Sequence, residues 1–197
     1  MPMARDEEIA LLFTGAYTHY AWLPTSVSDE QLRQLYELFR WPPSASNAQT
    51  LRIAFAKSPE AKARLRPALF PHNVDKAMTA PVTAILAFDP AWWERMPELA
   101  PFRLNVREHY AALGAERLDT LGTRSALIQA GYFILAARAL GLDCGPMGGF
   151  DHPMLDRAFF AESGWRSQLL VNLGHGDPMK TMPRMPRLDF STACRIE

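Results

Sequence analysis

The chain has 197 residues, 48% of them hydrophobic and 21% charged, which is enough apolar material for one globular domain with its own core. Lys plus Arg and Asp plus Glu both total 21, so the formal net charge is zero and no basic footprint for nucleic acid is expected. Cys144 and Cys194 form no CxxC, acidic residues precede any apolar stretch at the N-terminus, and no apolar run approaches the ~20 residues of a membrane span; these features predict a reduced, cytoplasmic protein without a signal peptide or membrane anchor.

Residues 28–41, SDEQLRQLYELFRW, are predicted to form an amphipathic helix. Ser28 and Gln31 make a capping box, and Leu32, Leu35, Tyr36 and Phe39 share one stripe. Pro42 and Pro43 end it. The loop that follows, WPPSASNAQ, carries Ser44, Ser46, Asn47 and Gln49. It suits either a ligand-holding loop or an ordinary helix-to-strand turn. LRIAFA (51–56) alternates as a strand does. Ser58 then caps a helix that has Pro59 at its first position. In HNVDK (72–76), Asn73 and Lys76 share one side of a helical turn, as a ligand pair or as a solvated one. APVTAILAFD (80–89) is apolar enough for a strand buried on both faces.

Residues 90–113 have a mixed pattern with Trp92, Trp93 and Phe102, which suits an excursion that covers a site or meets a partner. A long helix is predicted over 115–140, with its second half apolar almost all round and therefore central. GLDCGPMGGFD (141–151) then carries four glycines where one would stop a helix. Gly145, Gly148 and Gly149 would let a planar or phosphorylated ligand reach main-chain N–H groups. A plain glycine-rich turn explains them equally well. HPMLDRAFFAE (152–162) is predicted as a short helix, and QLLVNLG (168–174) as a second buried strand. The tail, 177–197, is proline-rich, and its Arg184 and Arg187 suit either phosphate recognition or a polar arm. Interleaved helices and strands, with helix dominant, indicate an α+β or α/β three-layer domain. The five histidines show no HExxH or HxH spacing, so no metal site is expected. Nothing in the sequence supplies a base for Cys144.

The order and spacing of these segments, from FTGAYTHYAW (13–22) to LLVNLGHGD and RMPRL, resemble the FMN-dependent nitroreductase family over almost the whole chain. The subgroup it most resembles comprises malonic semialdehyde reductases and NADH dehydrogenase/NAD(P)H nitroreductases. The resemblance implies a single FMN-binding domain over 1–197, helix-rich around a mainly antiparallel sheet, in an intertwined homodimer. It implies a flavin loop at Pro43, Ser44, Ala45 and Asn47, and a contact of Asn73 and Lys76 with the pyrimidine edge of the ring. The turn Pro146, Met147, Gly148, Gly149 would pass beside the flavin, with Gly148 offering its N–H to N5. Arg184, with Arg187 as the fallback, would hold the phosphate.

The family's first phosphate-gripping arginine is replaced here by Tyr17, which would lose about 1.5–3 kcal/mol of charge-assisted binding unless Thr18, His19 and Arg184 compensate. The implied activity is ping-pong transfer of hydride from NADH or NADPH to a small acceptor: a malonic semialdehyde-type aldehyde, a nitroaromatic or a quinone. The Tyr17 departure also raises the alternative of a flavin-binding carrier with little turnover.

Overall fold

The structure is a computed structural model that describes residues 3–197. In chain order its helices are α1 (Asp6–Ile9), continued by a π-helical turn Ala10–Thr14, α2 (Asp29–Phe39), α3 (Pro59–Leu65), α4 (Pro71–Thr79), α5 (Met96–Leu99), α6 (Val106–Ala111), α7 (Ala115–Ala139), α8 (His152–Phe159) and α9 (Phe190–Ala193). The strands are β1 (Leu51–Ala56), β2 (Val82–Phe88), β3 (Asp143–Met147) and β4 (Arg166–Gly174).

The two continuous apolar runs become the two inner strands. Every residue of β2 is buried, and β2 pairs antiparallel with β1 on one side and β4 on the other. β3 closes the far edge, antiparallel to β4, giving the order β1-β2-β4-β3. Because side chains alternate along a strand, β2 feeds two separate cores. Val82, Ala84, Leu86 and Phe88 pack with Leu32, Leu35 and Phe39 of α2 and with Ala126, Ala130 and Phe133 of α7. Ile85 and Ala87 face Leu65, Ala77 and Leu155, from α3, α4 and α8. Helices on both faces of an antiparallel sheet make the α/β/α sandwich of the α+β class. Each fully buried side chain such as Leu35 or Ile85 contributes about 1.5–3 kcal/mol through removal from water.

Local signals set the helix starts. Ser28 Oγ accepts from the Gln31 N–H at 3.1 Å, while the Gln31 side chain accepts from the Ser28 N–H at 2.9 Å. Ser58 Oγ caps α3 through the Ala61 N–H, with Pro59 at the first helical position. Tyr36 departs from expectation: it lies on the exposed flank of α2 while Leu32, Leu35 and Phe39 face the core. α2 also stops at Phe39, before the prolines.

The 90–113 excursion folds into a 3-10 turn (Trp92–Arg95), α5 and α6. Its own small core joins Trp92, Met96, Val106 and Tyr110 to Leu118 at the start of α7. The glycine-rich stretch after α7 differs from a simple turn, because its first half is strand β3. Gly145 and Pro146 are poor strand residues, yet proline is admissible on an edge, where no ladder donor is required. Cys144 lies buried in the first core, whereas Cys194 is exposed in the tail. Among the described residues no helix is long and apolar enough to cross a membrane.

Candidate functional site

α4 begins at Pro71 after Phe70 and presents Asn73 and Lys76 one turn apart, as their spacing predicted. The Lys76 ammonium donates to Asn73 Oδ1 at 3.2 Å. The Asn73 amide in turn donates to the Gly149 carbonyl at 3.0 Å, and the Phe70 N–H donates to the same carbonyl at 3.1 Å. Asn73 is buried and thereby tethers the glycine turn to α4. A Cβ on Gly149 would stand 2.6 Å from Asn73 Nδ2, so glycine is required by this close approach. Gly148 is the opposite case: it is exposed, and a Cβ there would meet nothing within 4 Å. The turn is pinned on one side and open on the other. Beside it, Pro146 and Met147 end β3, with Met147 buried in the second core.

The carbonyls at the end of α4 are satisfied from beneath. Asn172 of β4 donates to the Lys76 carbonyl at 3.0 Å, and Trp22 Nε1 adds a 3.3 Å bond to it. Lys62 donates to the Ala77 carbonyl and to Thr83 Oγ1, both at 2.7 Å, and Thr83 donates to Asn172 Oδ1 at 2.7 Å. Burial pushes the Lys62 pKa down to about 8. These donors hold the backbone of Lys76 in place, while its ammonium sits 4.7 Å from the centre of the Tyr20 ring. Lys62, Thr83, Asn172, Trp22 and Tyr20 were not singled out from the sequence. The only sequence-level trace of them is a polar residue inside an otherwise apolar strand, at Thr83 and at Asn172.

The N-terminal segment runs along the β3 edge. Thr18 bridges Cys144, and the His19 N–H donates to the Cys144 carbonyl at 3.1 Å. The His19 ring is turned inward and buried. Its Nε2 lies 3.4 Å from Asp143 Oδ1, and the ring abuts Gly176, where any Cβ would overlap it. Arg184 reaches this segment from the tail. Its Nη2 donates to the Ala16 carbonyl at 3.0 Å, and its guanidinium lies over the Tyr17 ring at 4.4 Å. Arg187 instead bonds the carbonyls of Met185 and Pro186 in its own stretch. Among the described residues neither Lys76 nor Arg184 is paired with a carboxylate.

The remaining predicted residues lie elsewhere in the chain. Pro43, Ser44, Ala45 and Asn47 precede β1 at Leu51, which sits opposite Phe88 at the end of β2. Lys76 adjoins the other end, where Val82 pairs with Leu173. The loop thus adjoins β1 at one edge of the sheet, whereas the glycine turn follows β3 at the opposite edge. The loop is heavily constrained. Ser46, Asn47 and Gln49 all take positive φ, at 54°, 61° and 43°. Such backbone costs about 1 kcal/mol or more per residue and persists only where its surroundings hold it. Here the Asn47 amide donates to the Leu99 carbonyl at 2.8 Å, the Ala45 N–H to Ser125 Oγ at 3.3 Å, and the Gln49 N–H to Ser44 Oγ at 3.0 Å. Tyr110 and Arg103 both donate to Ser46 Oγ.

This donor set suits a planar ligand that carries an anionic end: an open glycine backbone, one ammonium, and one guanidinium free of carboxylate. The fold and the comparisons agree on the class. Residues 14–175 match the model of the nitroreductase family, and the chain belongs to that family. It is 44% identical over 197 residues to a Cupriavidus pinatubonensis protein named as an NADH dehydrogenase/NAD(P)H nitroreductase, covering 98% of this chain and all of that protein. A Leptothrix cholodnii protein of the same name is 50% identical over 185 residues, covering 94% and 93% of the two chains. Among solved structures, a nitroreductase family protein from Streptococcus pneumoniae superposes with a TM-score of 0.84 at 20% identity, covering 94% of this chain and 98% of the other. A nitroreductase from Exiguobacterium sibiricum, solved in complex with FMN, gives 0.85 at 20% identity, covering 100% and 99%.

Proposed function

We propose that the chain is a single FMN-binding domain over 1–197 that works as an NAD(P)H-dependent oxidoreductase. The observation that carries this reading is the corner formed by Asn73, Lys76 and Gly149, which leaves Gly148 exposed beside an ammonium. The chemistry FMN supplies when bound is acceptance of hydride from NADH or NADPH and its delivery to a second substrate. The protein's part is orientation and electrostatics. Lys76 would place a positive charge beside the pyrimidine edge of a bound flavin, and its backbone is preorganised by Asn172 and Trp22. Gly148 offers a main-chain N–H that donates irrespective of pH. Asn73 holds that turn in register. Arg184 supplies the charge for the phosphate, with Thr18 and His19 shaping the segment beside it.

Donor and acceptor would use the same open face in turn, a ping-pong order. The acceptor would be a malonic semialdehyde-type aldehyde, a nitroaromatic or a quinone. The free cysteines fit a reducing cytoplasm. The Pro43–Asn47 loop adjoins edge strand β1 and the glycine turn the opposite edge strand β3, which supports a site built from two copies, with the loop of one facing the glycine turn of the other. A homodimer of this kind is supported by α7, which exposes Leu127, Ile128 and Tyr132. Contiguous apolar residues on a surface mark interfaces.

The test is spectroscopic. Purified protein supplied with FMN should retain flavin bands through gel filtration, and NADH or NADPH should bleach them without oxygen. Lys76→Ala should slow that bleaching by about 10-fold or more while leaving the fold intact. Protein that never takes up FMN would sink the proposal. Tight uptake without bleaching by either nucleotide would favour the carrier alternative.

A further inference from the structure

Lys76 and Arg184, neither paired with a carboxylate among the described residues, each rest on a tyrosine of one short segment. Arg184 lies 4.4 Å from the Tyr17 ring centre and Lys76 4.7 Å from that of Tyr20. The segment is anchored between them by the Thr18 bridge and the His19 N–H bond to Cys144. Its backbone keeps the Cα atoms of the two tyrosines within about 11 Å of each other.

Arg184 needs such help. It sits in 181–189, a stretch without helix or strand, and is exposed. Its Ala16 bond and the Tyr17 ring are its ties among the described residues. Stacking engages the face of a guanidinium and leaves the N–H groups along its edge available for bidentate capture of an oxyanion. Arg184 spends one donor on Ala16 and retains the others.

We propose that Tyr17 is a positioning residue whose ring immobilises Arg184 as a receptor for the flavin phosphate. The inference rests on the FMN reading above and adds to it that the phosphate charge is held by an aromatic stack joining the two ends of the chain. The ring face is what matters, and the Tyr17 hydroxyl is dispensable.

Riboflavin, which lacks the phosphate, separates the possibilities. FMN and riboflavin affinities are measured by flavin fluorescence quenching for the wild type, Tyr17→Ala, Tyr17→Phe, Arg184→Ala and the double variant Tyr17→Ala/Arg184→Ala. The wild type should bind FMN more tightly than riboflavin. Tyr17→Ala should weaken FMN by roughly 3- to 10-fold and leave riboflavin unchanged, and Tyr17→Phe should match the wild type. The Tyr17→Ala change should cost nothing further once Arg184 is alanine. Equal weakening of both flavins, an unaffected Tyr17→Ala, a Tyr17→Phe as poor as Tyr17→Ala, or additive losses in the double variant would each overturn the proposal. Wild-type protein that binds both flavins equally would overturn it while leaving the flavin reading standing. Wild-type protein that binds neither would bring down both.

Discussion

Gly148 and Gly149 are adjacent and chemically identical, yet they face opposite constraints. A Cβ at Gly149 would collide with the Asn73 amide at 2.6 Å, and Phe70 and His72 close the remaining space. Gly149→Ala should therefore push the turn from α4, with a loss of about 1–3 kcal/mol in denaturant unfolding and a weakened flavin site. Gly148→Ala meets nothing within 4 Å and should leave unfolding unchanged. Its methyl group would occupy the face offered to the ring, so flavin affinity should fall without loss of stability. Equal stability losses in the two variants would contradict this assignment. The sequence could not separate the two glycines, because the difference lies in a packing partner more than seventy residues away (Asn73). His19 makes the same point. It could be picked out as a polar residue near the site, but its inward turn depends on Asp143 and Gly176, both distant in the chain.

At the scale of elements, Lys62 binds α3, the end of α4, and strands β2 and β4 into one polar chain through Ala77, Thr83 and Asn172. Its charge is buried without a carboxylate, which moves its pKa from 10.5 to about 8. Between those values the unfolded chain holds a proton that the folded chain has released, so this group makes stability rise with pH from about 8 towards 10.5. Below 8 both states are protonated and its contribution is flat. In urea unfolding at about pH 7.5 and 9.5, wild type should gain about 2 kcal/mol relative to Lys62→Met. A constant difference between the two proteins would refute the buried-charge account.

The elements themselves were largely legible. The capping box at Ser28, the Ser58–Pro59 start, the continuous apolar run of β2 and the 25-residue α7 are encoded locally, and each formed where expected. β3 was not legible as a strand, since Gly145 and Pro146 oppose it and only pairing with β4 makes it one. α1 and its π-helical continuation also went unread, because they bury no side chain and so leave no apolar periodicity.

At the scale of the whole molecule, the predicted residues gather by opposite edge strands of the sheet, β1 and β3. The Asn73–Gly149 corner and the Arg184–Tyr17 stack occupy one region, and the strained loop at Ser46 and Asn47 the other. Sequence order carries no sign of this, since both groups look equally ligand-ready. The proposed site shared between two copies would account for both, and it would make cofactor affinity depend on association. Ile128→Glu, on the exposed face of α7, should shift sedimentation towards the monomer. It should also lower FMN affinity by about 10-fold or more, because a charge cannot be buried unpaired in an apolar contact. A dimeric variant with unchanged affinity would exclude α7 from that contact.

The two thiols of the chain lie in different surroundings. Burial holds the Cys144 thiol protonated up to a pKa of about 12, inside the core beneath the helix that carries Ile134, while Cys194 lies open near the end of the tail. An alkylating dye at neutral pH thus meets a single reactive handle, and it falls on the same proline-rich arm that delivers Arg184. The native molecule already contains its own attachment point for watching that arm move, with no engineered cysteine required.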